Sequence, residues 1–249
     1  FFGIHGPNLL DPVTHAIYST AADANAAALA AGQPLPHIIT KVFFDSFVFL
    51  GGSGATLGLV IAILLRSVDR SSRRIAMLGL ILTMFNINEM ILFGLPIILN
   101  PVYFIPFIAA PMVLTLTSYL AIDWGLVAGT VNAVDWTTPI FISGYESASS
   151  LAPSLLQLFN LCLCAAIYAP FVTISDKIKA MRFKSSIAKL MEAAESNILG
   201  PHGLRVIYRT DEVGMLARSL VNDLNEALSK NDEIFLVYQP QVNTTKNRV

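Results

Sequence analysis

Between residues 85 and 101 the sequence FNINEMILFGLPIILNP sets one carboxylate, Glu89, and three amides, Asn86, Asn88 and Asn100, inside an otherwise apolar run. An ionisable side chain at membrane depth is costly, and it faces a protein interior or a wet path where it finds hydrogen-bonding partners. Glu89 is therefore the leading candidate for contact with a ligand, with Asn86 and Asn88 beside it. Asp45 lies about two helical turns before the run Gly51-Gly52-Ser53-Gly54, whose small residues permit close approach by a neighbouring helix or by a ligand. His5 stands between two glycines in FFGIHGP, as a tight bend would present it, either as a functional group or as a plain loop residue. Trp136, in VDWTTP, suits either an interfacial aromatic belt or a stacking surface for a sugar ring. Cys162 and Cys164, two residues apart in an apolar run, fit neither a disulfide framework nor a common zinc spacing, and they read as buried thiols acting as small apolar groups. No metal, cofactor or nucleic acid is expected, and His15 and His37 read as structural.

The elements that must hold these residues are those of a membrane protein. The chain is 54% apolar and 13% charged, with mean hydropathy +0.62, well outside an ordinary soluble composition. Charge is unevenly distributed: of 16 Lys+Arg and 17 Asp+Glu, residues 1–174 hold 5 and 8, and the last 75 residues hold 11 and 9. A soluble tail follows a membrane part. The first residues include neither an initiator methionine nor a basic, signal-like start, so the sequence reads as a fragment at its amino end.

Residues 13–32 are Ala-rich and can be helical, but polar interruptions make them an interfacial or protein-packed element rather than a span. Residues 42–65 form the first expected span, and Arg66, Arg70, Arg73 and Arg74 after it mark a cytoplasmic loop. Residues 75–85 and 90–99 are too short to cross singly. With NINE between them they read as a broken helix or re-entrant hairpin, which is tolerated where freed backbone lines a protected cavity. Residues 102–122 span again, with kinks expected at Pro106 and Pro111, and residues 125–145 form a second candidate hairpin around Trp136. The last span, 151–174, is followed by Lys177, Lys179, Arg182 and Lys184, again cytoplasmic. In the tail, apolar spacing predicts amphipathic helices over 185–199 and 211–230, and IFLVYQPQV at 234–242 reads as a strand.

The motifs FFGIHG, GGSGATLGL, FNINE with LFGLPIILNP, and VDWTTP, in that order and spacing, resemble the membrane component IIC of the bacterial phosphotransferase system, in its lactose, cellobiose and diacetylchitobiose branch. The resemblance covers about residues 1–178, the carboxyl-terminal, substrate-binding half of that component. It implies an all-α integral membrane fold with two re-entrant hairpins, a homodimer in the inner membrane, and uptake of a β-linked disaccharide. Cytoplasmic IIA and IIB partners would supply the phosphoryl group, since no phospho-acceptor of the soluble kind stands in this chain. By the same resemblance the histidine of the family's GIHG motif falls on His5, the glutamate of its N-E-P motif on Glu89, and the tryptophan of WTTP on Trp136. All three become sugar contacts, with Asn86 and Asn88 as further candidates. The family's proline is here Met90, which leaves the start of the second half-helix less constrained.

Residues 179–233 are then a cytoplasmic helical linker. Residues 234–249 are similar to the first strand of an EAL-type cyclic-di-GMP phosphodiesterase barrel, truncated before the motif that would ligate metal, so no phosphodiesterase activity is expected in this stretch. A sugar-sensing membrane module that regulates such a phosphodiesterase is the alternative function. A carrier driven by protons through Glu89 is a third.

Overall fold

The computed structural model describes residues 6–95, 97, 100–197, 210, 214–215 and 217–222. The chain divides into two compact units between Lys177 and Ile178. Among the described residues there are helices and no strands, and the expected strand at 234–242 lies outside them, as does His5.

The first unit opens with α1 (Gly6–Ala30), which continues through Pro12. The structure starts this Ala-rich helix earlier than the sequence suggests, because Pro7 falls in its first turn, where its missing N–H breaks no helical bond. The turn after α1 is pinned by Asn25, whose Nδ2 donates to the His37 carbonyl (2.7 Å) and whose Oδ1 accepts from His37 N (3.0 Å).

The expected single span over 42–65 is not one helix. It consists of a short stretch, α2 (Lys41–Phe43), a π-helical turn over Phe44–Val48, a loop over 49–55, and α3 (Thr56–Arg66). Gly51, Gly52 and Gly54 take φ of 84°, 87° and 76°, left-handed values that only glycine adopts without strain. Space also demands glycine at all three, since a Cβ on Gly51 would run into the backbone of Leu57. A Cβ on Gly52 would lie 2.7 Å from the Asn86 carbonyl oxygen, and one on Gly54 would run into the Phe107 ring. Small residues here both break the helix and admit its neighbours.

Helix α4 (Arg70–Met84) begins inside the arginine cluster, capped by Asp69, whose carboxylate accepts from Ser71 N (3.2 Å), Ser72 N (3.3 Å) and Ser72 Oγ (2.8 Å). A turn over 85–88 leads to α5 (Glu89–Gly94), only six residues long. Asn100 caps α6 (Pro101–Asp123) by accepting from Val102 N (3.0 Å), so the third amide of the polar stretch is a helix cap. Helix α6 continues through Pro106 and Pro111, and it buries Tyr103, Pro106, Ala110, Leu114 and Ser118 along one face at helical spacing. After a loop comes the short α7 (Ile142–Ala148), then α8 (Leu151–Asn197), 47 residues long.

The sequence predicts a span ending near 174 and a separate linker helix from 185. In the structure these are one helix, because residues 175–184 (SDKIKAMRFK) contain neither glycine nor proline to stop it. Among the described residues, α6 and residues Leu151–Ala188 of α8 are long and apolar enough to cross a membrane, and α3 is a shorter apolar helix.

The first unit's main core joins α3, α4, α5, α6 and α8 through Leu59, Val60, Ile63, Ala76, Ile91, Leu114, Cys164 and Tyr168, all buried. A smaller cluster of Phe43, Phe47, Val48, Val127 and Leu156 supports the π-helical turn. Of the two cysteines Cys164 is buried as expected, whereas Cys162 is exposed because it falls on the outward face of α8. In the second unit, residues 214–215 and 217–222 are helical, inside the stretch where an amphipathic helix is expected.

Candidate functional site

Three of the residues singled out by sequence, Asn86, Asn88 and Trp136, lie where three interruptions of helical structure come together: the glycine loop 49–55, the NINE turn 85–88 and the turn after Trp136. Asn86 ties all three. Its Oδ1 accepts from Gly51 N (2.8 Å) and its Nδ2 donates to the Trp136 carbonyl (2.6 Å). Asn86 itself sits at φ 62°, a conformation asparagine tolerates better than most residues. Asn88 makes the second tie, donating from Nδ2 to the Ser53 carbonyl (2.9 Å) and to Thr56 Oγ1 (3.2 Å), and Thr56 Oγ1 in turn donates to the Gly51 carbonyl. Ile140 N reaches the Met84 carbonyl at 3.4 Å. Both amides expected to meet a ligand are thus engaged with backbone, and their chemistry in this structure is to hold loops together.

Glu89 follows directly, as the first residue of α5. It is half-buried, and its Oε2 is shielded from solvent. Trp136 is 41% exposed, and its carbonyl is docked on Asn86. Asp45 lies in the π-helical turn and forms an ion pair with Lys41 Nζ at 2.9 Å, one helical turn away. That pair neutralises the carboxylate locally and holds the turn.

A second set of residues carries the site without being legible as functional. Interrupting a helix in an apolar medium frees backbone carbonyls that must find donors within the protein. One face of α8 supplies them. Gln157 Nε2 donates to the Ser46 carbonyl (2.6 Å) and to Ser143 Oγ (2.8 Å), while its Oε1 accepts from Phe141 N (2.7 Å). Asn160 Nδ2 donates to the Phe47 carbonyl (3.1 Å) and to Ser118 Oγ (2.8 Å), and its Oδ1 accepts from the Thr117 hydroxyl (3.0 Å). Cys164 Sγ donates to the Ala55 carbonyl (3.3 Å) and the Tyr168 hydroxyl to the Gly54 carbonyl (2.7 Å). All four are buried. Positions 157, 160, 164 and 168 share one helical face, so a line of donors in an apolar helix is the signal that marks them.

At the end of α3 the buried Asp176 accepts from Ser67 Oγ (2.9 Å) and Val68 N (2.8 Å), fastening the arginine-rich turn to α8. The same helix therefore anchors both ends of the α3 region. The arrangement is a firmly held polar centre, with one carboxylate and one partly exposed indole on adjoining segments. Such a centre can bind a neutral, hydroxyl-rich ligand, with the carboxylate accepting hydrogen bonds and the indole giving a flat apolar face.

Residues 1–111 match the family described as phosphotransferase system, EIIC. The chain is 38% identical over 199 residues to the oligo-beta-mannoside-specific EIIC component of Bacillus subtilis (strain 168), covering 79% of this chain and 45% of that protein. It is 42% identical over 182 residues to the cellobiose-specific EIIC component of Geobacillus stearothermophilus, covering 72% of this chain and 40% of that protein. Among solved structures it is similar to the transporter ChbC, the IIC component from the N,N'-diacetylchitobiose-specific phosphotransferase system. That similarity has a TM-score of 0.68 and 45% identity, over 73% of this chain and 43% of the other. The chain spans less than half the length of the curated relatives it matches. In both sequence and fold, this chain is similar to part of an EIIC component of a phosphotransferase system.

Proposed function

We propose that this chain forms the sugar-binding part of a phosphotransferase-system membrane permease, which takes a β-linked disaccharide of the cellobiose, chitobiose or lactose type across the bacterial inner membrane. The observation that carries the reading is the meeting of the glycine loop and the Trp136 segment at the Asn86 amide, in the turn that leads into Glu89, in a chain whose similarity runs to EIIC components. Glu89 accepts hydrogen bonds from sugar hydroxyls, His5 adds a second charge-assisted contact, and Trp136 stacks on the ring's C–H face. Analogues lacking a hydroxyl are rejected because they leave these polar groups unpaired. Asn86, Asn88 and Asp45 line or support the same centre.

The two pairs of short segments, α4 with α5 and the Trp136 turn with α7, act as re-entrant hairpins around the sugar. The protein works as a homodimer with its arginine-rich turn and tail in the cytoplasm, alongside IIA and IIB components. The phosphoryl group comes from IIB: the sugar hydroxyl oxygen takes it from a phosphocysteine, the P–S bond breaks, the thiolate leaves, and the hydroxyl proton is lost to the surroundings. No residue of this chain carries the phosphoryl group.

Equilibrium binding of labelled cellobiose to the purified full-length protein, with uptake and phosphorylation of a β-disaccharide panel by the protein and its partners, tests the reading. Glu89→Gln and His5→Ala are each expected to abolish binding while leaving assembly intact. Wild-type affinity in both variants would refute the site.

One observation favours a second reading, in which sugar binding regulates an EAL-type phosphodiesterase fused beyond the linker: α8 runs without interruption from Leu151 to Asn197, roughly 70 Å at the helical rise. A helix of that length suits transmission of a binding event to a soluble domain. The sequence beyond residue 249 decides between the two, since a missing Glu-Ala-Leu motif removes the second.

A further inference from the structure

We propose that Asn86 is a positioning residue: its amide fixes Trp136 and the glycine loop around Glu89, and it does not contact the sugar. The inference rests on the reading of Glu89 and Trp136 as a sugar groove, and it gives Asn86 a different role within that groove. Both ends of the Asn86 amide are engaged with backbone from two distant segments, Gly51 N at 2.8 Å and the Trp136 carbonyl at 2.6 Å. The residue is buried. A sugar hydroxyl competing for this amide would displace a backbone group and leave it without its partner inside the protein.

The backbone is shaped for the same task. Asn86 N donates to the Thr83 carbonyl (3.1 Å), which closes the end of α4 and turns the chain into φ 62°. Its own carbonyl oxygen lies against Gly52, close enough that a Cβ there would be 2.7 Å away. The side chain and the carbonyl of one residue therefore face two consecutive glycines of the loop, while the amide nitrogen holds the peptide that carries Trp136. Glu89 follows three residues later, so displacement of this turn moves the carboxylate and the indole relative to each other.

The test uses the full-length protein with Trp136 as its single tryptophan, the others replaced by phenylalanine. Asn86→Gly is the informative variant, because glycine adopts φ near +60° freely and keeps the turn while removing the amide. In the absence of sugar, Asn86→Gly is expected to shift the emission of Trp136 and raise its quenching by iodide, and to weaken cellobiose binding about tenfold or more, the equivalent of one lost buried hydrogen bond. Asn86→Asp, which keeps an acceptor for Gly51 N but sets a carboxylate against the Trp136 carbonyl, is expected to move the sugar-free emission in the same way. Glu89→Gln abolishes binding without moving it.

Unchanged sugar-free emission in both Asn86 variants overturns the proposal, whether binding is lost, as for a direct sugar ligand, or retained. Failure of the unsubstituted protein to bind cellobiose would count against the sugar groove. The response of Trp136 to Asn86→Gly would still decide whether the amide positions it.

Discussion

Helix α6 carries two prolines in its interior and stays one helix from Pro101 to Asp123, whereas residues 44–55 contain no proline and pass from a π-helical turn into a non-helical loop. A proline removes a single donor, and α6 continues past each of its two gaps. In 44–55 three glycines at positive φ redirect the whole chain, and the carbonyls of Ser46, Phe47, Ser53, Gly54 and Ala55 take side-chain donors from distant segments. Helix-breaking residues alone do not decide where an apolar segment opens. It opens where another element offers donors, and here that element is α8, with the NINE turn as the second source.

The contrast is broken most strongly at Gly52. Alanine there must hold φ 87° and place a methyl group 2.7 Å from the Asn86 carbonyl oxygen and 2.9 Å from the Asn88 side chain. Backbone strain and overpacking together are expected to cost about 3 kcal/mol or more, read as a large fall in thermal midpoint of the full-length protein in detergent, with loss of sugar binding. A variant as stable as the parent would mean that the loop has room this geometry denies. The donor side of the comparison is tested next, at Gln157. Gln157→Leu keeps the volume but orphans the Ser46 carbonyl, Phe141 N and the Ser143 hydroxyl, and a loss of about 2 kcal/mol is expected. Gln157→Glu restores acceptors for Phe141 N and the Ser143 hydroxyl but no donor for the Ser46 carbonyl, and should recover only part of it.

Sequence patterns reveal the apolar helices α6 and α8 and the polar stretch around Glu89, because hydropathy and an out-of-place charge are local properties. The opening of residues 42–65 is not local. Those residues read as one span, and the partners that permit the break lie more than a hundred positions later, at Gln157, Asn160, Cys164 and Tyr168. Asn86 and Asn88 illustrate the same limit at the candidate site. An amide in an apolar run signals that a hydrogen-bonding group is needed, and it cannot say whether the partner is a ligand or the protein's own backbone. Asn100 answers in a third way, as a helix cap. The extent of α8 is hidden by a change in composition rather than in conformation: the chain shifts from apolar to basic near residue 175, and the helix continues past that shift.

The smallest effect, and the one with the opposite sign, is expected in α6. Pro111 has no N–H to offer the carbonyl four residues back, that of Phe107, whose ring lies over Gly54. Pro111→Ala restores that donor and adds no bulk, so it is expected to leave the thermal midpoint unchanged or raise it, by up to about 1 kcal/mol in stability. The same alanine that ruptures the loop at Gly52 would be harmless or favourable here. A loss comparable to that of Gly52→Ala would show that α6 depends on its proline as the glycine loop depends on Gly52, and the distinction between a tolerated gap and a built opening would fail.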